Sequence, residues 1–74
     1  MRQLALPRGE AGLTLQAVVQ LAGWADTGGR AKQIIQAGEV LLNGVEETRR
    51  SRQMQLGDRV SYQEDEVELS ADGH

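Results

Sequence analysis

The chain has 74 residues, a formal net charge of −3, no Cys, no Phe, one Trp and one Tyr. A chain of this length forms one domain, residues 1–74, with a small aliphatic core that leaves no room for a spacious ligand cavity. The composition excludes disulfides and thiolate metal sites, and no stretch approaches the ~20 apolar residues of a membrane span. The apolar run near the N-terminus is too short for a signal peptide, so we expect a cytoplasmic protein with no membrane partner.

The first predicted elements are a short strand and a helix. In "RQLAL" polar and apolar residues alternate, which predicts a strand with Leu4 and Leu6 on one side, before a turn at residues 7–9. From Thr14, a suitable N-cap, apolar residues recur with helical spacing, and Gly23 suits the left-handed conformation that ends many helices. The residues with this spacing are Leu15, Val18, Val19 and Ala22.

A second helix follows a short linker that contains Trp24. Either Asp26 or Thr27 can accept hydrogen bonds from its first N–H groups, and Gly38 closes its last turn. Trp24 is expected to fill the corner between the helices, because base-stacking surfaces usually carry successive aromatic rings. The apolar stripe of this helix consists of Ala31, Ile34 and Ile35.

The rest of the chain predicts strands. In "EVLLNGVEE" the apolar period changes to two, and Asn43-Gly44 is a strong hairpin signal because both central positions of a type I′ turn need positive φ. The segments "QLGDRVSY" and "DEVELS" predict two more strands, the first with Val60 and Tyr62 on opposite faces. Together the elements predict an α+β fold, with two short helices packed on a small, mostly antiparallel sheet.

No pattern in the sequence indicates catalysis, a metal or a cofactor. The only histidine is the final residue, His74, and for Ser51, Ser61 and Ser70 the sequence makes no catalytic base evident. The acidic residues at 64–68 lack the spacing of a calcium loop and are interpreted as a solvated sheet edge. A phosphate loop is excluded because Gly29 and Arg30 stand where that motif has Lys and then Ser or Thr. We therefore expect a non-enzymatic protein.

Positive charge is concentrated in the middle of the chain. Residues 27–59 carry a net charge of +2, whereas residues 60–74 hold five acids and neither Lys nor Arg. Seven of the eight basic residues are Arg, whose planar guanidinium can bind phosphate through two parallel hydrogen bonds. Gly28 and Gly29 near the start of the second helix leave its N–H groups open to close approach. These features predict one basic surface, formed by the helix start and the segment after the hairpin.

As a set, the motifs resemble the RNA-binding module named after the fourth protein of the small ribosomal subunit, the S-four domain. The resemblance covers residues 13–62, and the segments "TGGRAK" and "NGVEETRR" are most similar to the stand-alone bacterial members. The matching positions are Thr27, Ala31, Ile35, Gly38, Val40, Leu42, Asn43, Gly44, Gly57 and Asp58.

The resemblance implies an αL-type RNA-binding fold that recognises structured RNA, above all ribosomal or transfer RNA, through its phosphate backbone and shape. Many members carry Arg-Leu-Asp in the first helix and Ser-Arg before the second, where this chain has residues 13–15 (LTL) and Thr27-Gly28. We therefore expect a monomer of weak affinity, or one whose site a partner protein completes. The candidate RNA-binding residues are Thr27, Gly28, Gly29, Arg30, Lys32, Gln33, Gln36, Asn43, Arg49, Arg50 and Arg52.

Two alternatives stay open. The two helices could form a helix-turn-helix that inserts its second helix into the major groove of DNA, although base readout needs side chains where this chain has Gly28 and Gly29. The negative net charge instead favours a protein-binding adaptor of an RNA machine.

Overall fold

The computed structural model describes residues 2–6 and 13–71, so the turn predicted at residues 7–9 and the terminal histidine lie outside the described residues. The predicted α+β fold, with two short helices on a mostly antiparallel sheet, is confirmed. In chain order the elements are β1 (Arg2–Leu6), α1 (Leu15–Leu21), α2 (Gly28–Gln36), β2 (Val40–Leu42), β3 (Val45–Glu46), β4 (Arg59–Tyr62) and β5 (Asp65–Ala71).

Each helix begins at a threonine cap and is followed by a left-handed glycine. The hydroxyl oxygen of Thr14 accepts the N–H of Ala17 at 3.2 Å, and that of Thr27 accepts the N–H of Arg30 at 3.1 Å. Thr27 is therefore the cap of α2, which settles the choice left open between residues 26 and 27. The predicted left-handed positions are also confirmed, with φ of 85° at residue 23, 79° at residue 38 and 85° at residue 44.

The five strands form one sheet in the order β1-β5-β4-β2-β3, in which only β1 and β5 run parallel. β5 therefore lies inside the sheet, and the interpretation of its acidic residues as a solvated edge is wrong. Glu66 and Glu68 alternate with the buried Val67 and Leu69, so they lie on the solvent face of an interior strand. This alternation is the same in edge and interior strands, which is why the pattern did not distinguish them.

The hydrophobic core lies between the helices and one face of the sheet. Val60 and Tyr62 share that face of β4, so the prediction of opposite faces is wrong, because residues two apart in a strand point the same way. The buried apolar residues are Leu15, Val18, Val19, Ala22, Ala25, Ala31, Ile34, Ile35, Val40, Leu42, Met54, Val60, Val67 and Leu69.

Trp24 packs against the sheet as well as against the helical layer. Its ring centroid lies 5.7 Å from that of Tyr62, and its indole N–H donates a hydrogen bond to a carboxylate oxygen of Asp65 at 2.9 Å. The contacts of the ring therefore reach the sheet, in addition to the corner between the helices predicted for it. Trp24 fastens the linker between the helices to the end of the β4–β5 hairpin.

The strand order makes a prediction for amide hydrogen exchange. Val67 and Glu68 are paired with a strand on each side, and the N–H of Leu69 donates to the carbonyl of Asp58. Val45 and Glu46, in contrast, form a two-residue strand at the edge of the sheet. We expect the amides of residues 67–69 to exchange at least about tenfold more slowly than those of β3, since edge amides open at low free-energy cost. Equal rates, measured by NMR, would contradict an interior position for β5.

Candidate nucleic-acid interface

The first turn of α2 presents backbone N–H groups. The hydroxyl and the carbonyl of Thr27 accept the N–H groups of Arg30 and Ala31, at 3.1 and 3.0 Å. The N–H groups of Gly28 and Gly29 have no partner within the helix, and they lie at the positive end of its dipole. A Cβ added at Gly29 would have only the Thr27 hydroxyl oxygen nearby, at 3.9 Å. The surface above Gly29 is therefore open to an anionic group.

Gly28 has a different role, because α1 approaches it closely. A Cβ at this position would lie 2.6 Å from Nε2 of Gln16, which is closer than real Cβ contacts come. The absence of a side chain at Gly28 thus makes room for the Gln16 amide. The sequence predicted that a ligand could come close to the backbone at both glycines. The space is open at Gly29, but at Gly28 the side chain of Gln16 already fills it.

Residues 49–52, here called the arginine loop, are fixed to the start of α1 by backbone hydrogen bonds. The N–H of Leu15 donates to the carbonyl of Arg52 at 2.9 Å, and the N–H of Gln16 donates to that of Arg50 at 3.0 Å. The chain continues alongside residues 13–14, where the N–H of Met54 donates to the carbonyl of residue 13 at 2.9 Å. The loop therefore satisfies amides that begin the helix, and its backbone position follows from theirs.

The side chain of Gln16 connects the arginine loop to α2. Its Oε1 accepts a hydrogen bond from Nη1 of Arg50 at 3.1 Å, while its Nε2 lies over Gly28. The start of α2 and the guanidinium of Arg50 are thereby neighbours on one surface. Gln16 was not among the residues predicted from the sequence, since nothing in the helical pattern sets it apart from Gln20, the other polar residue on the same helix.

The other two arginines of the loop share one carboxylate, that of Glu47. Its Oε2 accepts from both Nε and the backbone N–H of Arg49 at 3.2 Å, and its Oε1 accepts from Nη1 of Arg52 at 3.1 Å. The side-chain hydrogen bond from Arg49 lowers the pKa of Glu47 below its ordinary value of 4.5, with a smaller contribution from the backbone N–H. Glu47 is therefore charged at neutral pH, and the sequence analysis gave it no role.

The polar residues of α2 lie around its exposed face. Residues along a helix are separated by about 100°, so Arg30 and Lys32 lie about 160° apart, on the two flanks predicted for them. Lys32 follows Gly28 by one turn and therefore lies on the same flank of α2 as that glycine, which the side chain of Gln16 approaches. Arg30 lies on the far flank, where its Nη1 is 3.4 Å from Oε1 of Gln33. Between the flanks, the exposed residues are Gly29, Gln33 and Gln36.

Asn43 is engaged within the protein. With φ of 53° it occupies the first left-handed position of the hairpin turn, as predicted. Its Nδ2 donates to Oδ1 of Asp58 at 3.2 Å, and its Oδ1 accepts the N–H of Arg59 at 2.9 Å. The side chain thus fastens the β2–β3 turn to the start of β4.

Two kinds of feature are absent from residues 2–6 and 13–71. No three His, Asp or Glu side chains are grouped so that they could hold a metal ion. Neither helix has the length and apolar character needed to cross a membrane.

Comparison with known proteins identifies a protein family and a solved structure that are similar to this chain. The model of a protein family described as the S4 domain matches residues 8–70. The solution structure of YbcJ from E. coli, which reveals an alfaL motif involved in RNA binding, matches with a TM-score of 0.71 and 30% sequence identity. That match covers 96% of this chain and 89% of the YbcJ chain. No curated protein sequence matches significantly.

The hydrogen bonds of Asn43 make a stability prediction with two matched variants. Asn43→Gly keeps a residue that tolerates positive φ but removes both side-chain bonds, so we expect a loss of about 1–2 kcal/mol in the free energy of unfolding. Asn43→Ala removes the same bonds and adds backbone strain, so it is expected to cost about 1 kcal/mol more. Urea denaturation measures both, and equal stability of wild type and Asn43→Gly would contradict the structural role.

Proposed function

The chain belongs to the S4 domain family, and on this premise we propose that it binds structured RNA through the phosphate backbone and shape of the RNA, without catalysing a reaction. The match to YbcJ, with its alfaL motif involved in RNA binding, extends over nearly the whole chain and supports the proposal. The family relationship supports the class of ligand, and the geometry of α2 and the arginine loop supports the choice of site.

The observation that carries the site is the position of Gln16 between Gly28 and Arg50. It brings the start of α2, which is open at Gly29, and a guanidinium to one surface, and both provide donors suited to phosphate oxygens. Lys32 adds a positive charge on the same flank of α2. Such donors recognise the backbone of an RNA without reading its bases.

The remaining candidate residues have different roles in this proposal. Arg49 and Arg52 extend the surface on the loop side, while Arg30 and the two exposed glutamines of α2 extend it on the other. Thr27 and Asn43 act indirectly, since the first caps α2 and the second fixes the hairpin from which the arginine loop continues. We propose that all of them belong to the RNA-binding surface or to its immediate support.

Ribosomal or transfer RNA is the target class that we propose, bound by a monomer in the cytoplasm. Folded RNA places phosphates of different strands close together, which suits a compact surface with donors on two sides. The net charge of −3 repels RNA at long range, so attraction must come from the local basic surface. A partner protein that contributes basic residues would raise the affinity.

The proposal predicts salt-dependent binding to folded RNA. If about four phosphates are contacted, the logarithm of the binding constant falls by about 3–4 for each unit in the logarithm of salt concentration. Fluorescence anisotropy with a labelled transfer RNA or ribosomal RNA hairpin measures this slope. The triple variant Arg49→Ala, Arg50→Ala, Arg52→Ala serves as the test of the site and is expected to bind much more weakly.

Other outcomes of that titration would favour other functions. Tighter binding to duplex DNA than to folded RNA would indicate the helix-turn-helix mode. Absence of binding to any nucleic acid at low salt would reject the proposal and favour the protein-binding adaptor. Binding of RNA that is indifferent to salt would reject the phosphate-based site.

A glycine variant separates the function of the site from the stability of the fold. Gly29→Ala places a methyl group where only the Thr27 hydroxyl oxygen is near, so the fold should keep its stability or gain up to about 1 kcal/mol. The same methyl group blocks the approach to the first N–H groups of α2. Loss of one charge-assisted hydrogen bond costs about 1.5–3 kcal/mol, so RNA affinity is expected to fall by about tenfold or more.

A matched surface variant controls this experiment. Leu21→Ala changes a side chain on α1 that is 55% exposed and is not among the candidate site residues. It is expected to leave RNA affinity unchanged, which separates a local block from a general effect of surface substitution. RNA affinity of Gly29→Ala equal to wild type would exclude contact of the RNA with the start of α2.

A further inference from the structure

The carboxylate of Glu47 lies within the surface that is proposed to bind a polyanion. Its side chain is only 15% exposed, whereas those of Arg49 and Arg52 are 69% and 39% exposed. Its two oxygens are divided between the two arginines, Oε2 to Arg49 and Oε1 to Arg52. One mostly buried carboxylate thus binds two guanidinium groups that face the solvent.

The ion pairs leave both arginines with donors for another anion. A guanidinium carries five N–H donors in a fixed plane. Arg49 uses its Nε toward Glu47, and Arg52 uses one donor of Nη1. The other N–H groups of both side chains keep their capacity for hydrogen bonds to phosphate. Glu47 therefore restricts the orientation of the two groups and does not saturate them.

Two effects of Glu47 on RNA binding oppose each other. Its negative charge repels phosphate, and salt screens this repulsion only in part, because a phosphate held by Arg49 or Arg52 lies within a Debye length of Glu47. The ion pairs, in contrast, order two side chains before the RNA arrives. Immobilising one rotamer-rich side chain on binding costs about two- to tenfold in affinity, and here that cost is reduced for two arginines at once.

We propose that Glu47 is a positioning residue for RNA binding, which holds the guanidinium groups of Arg49 and Arg52 in the orientation that contacts neighbouring phosphates. The inference rests on the proposed function, and it gives an acidic residue a favourable role in binding an acidic ligand. It has a direct consequence, because removal of this negative charge should weaken the binding of RNA.

The test compares two neighbouring carboxylates in the same RNA titration. Glu47→Gln removes the charge that pairs with both arginines and is expected to weaken binding about three- to tenfold. It should also reduce the slope of log affinity against log salt by about one to two units, because fewer phosphates are neutralised. Glu46→Gln removes the same charge one residue earlier, from a side chain with no ion pair among the described residues, and is expected to leave binding unchanged or slightly tighter.

A thermodynamic cycle shows whether Glu47 acts through the arginines. In a background of Arg49→Ala with Arg52→Ala, the further change Glu47→Gln should no longer weaken binding. An equal loss in that background would overturn the proposal, because it would show an effect independent of the two guanidinium groups. Tighter binding by Glu47→Gln in the otherwise wild-type protein would overturn it as well.

The outcomes for this inference and for the proposed function are distinguishable. If the wild-type protein binds no RNA, the proposed function fails; if it binds with the expected salt slope and Glu47→Gln binds equally well, only the role of Glu47 fails. Thermal unfolding of each variant checks the fold. Should Glu47→Gln not fold, Glu47→Asp keeps the net charge and shortens the reach to the arginines, and wild-type affinity in this variant would overturn the proposal.

Discussion

The free N–H groups at the start of α1 need hydrogen-bond acceptors, and the structure satisfies them with carbonyl groups of the arginine loop. The amides of Leu15 and Gln16 bind the carbonyls of Arg52 and Arg50, and this contact fixes a segment that has no regular secondary structure of its own. Met54, just beyond the loop, is buried in the core and anchors its other side. The surface proposed for RNA thus depends on a requirement of the α1 backbone.

Local sequence patterns predicted the elements but not their neighbours. The cap at Thr14, a second cap at Asp26 or Thr27, and the left-handed turn at Asn43-Gly44 follow from chemistry within a few residues, and the structure has the caps at Thr14 and Thr27 and the turn at 43–44. The interior position of β5 and the bond between Trp24 and Asp65, which are 41 residues apart, depend on tertiary packing. Alternating residues identify the buried face of a strand, but they carry no information about which strand lies beside it.

In the candidate site as well, the sequence indicates which types of residue are present but not which contacts they make. Arginines after a hairpin and glycines at a helix start were identifiable from sequence as a basic, open region. Whether a guanidinium is free, bonded to an amide as in Arg50, or shared with Glu47 depends on side chains brought from other elements. Gln16 and Glu47 are ordinary polar residues in the sequence, and their position between groups of the candidate site gives them importance. A count of charges could not have identified either one.

The parallel pairing of β1 with β5 has a consequence for the way the protein folds. Arg2 pairs with Val67 and Leu6 with Ala71, so this contact closes the longest loop in the described chain. Loop closure of this length is slow, and we expect β1 to join after the antiparallel strands have assembled. Until then one side of β5 is an unpaired edge. The negative charges of Glu66 and Glu68, at alternate positions of the strand, would repel the same strand of another molecule. We expect these two glutamates to reduce self-association during the period before the sheet is complete.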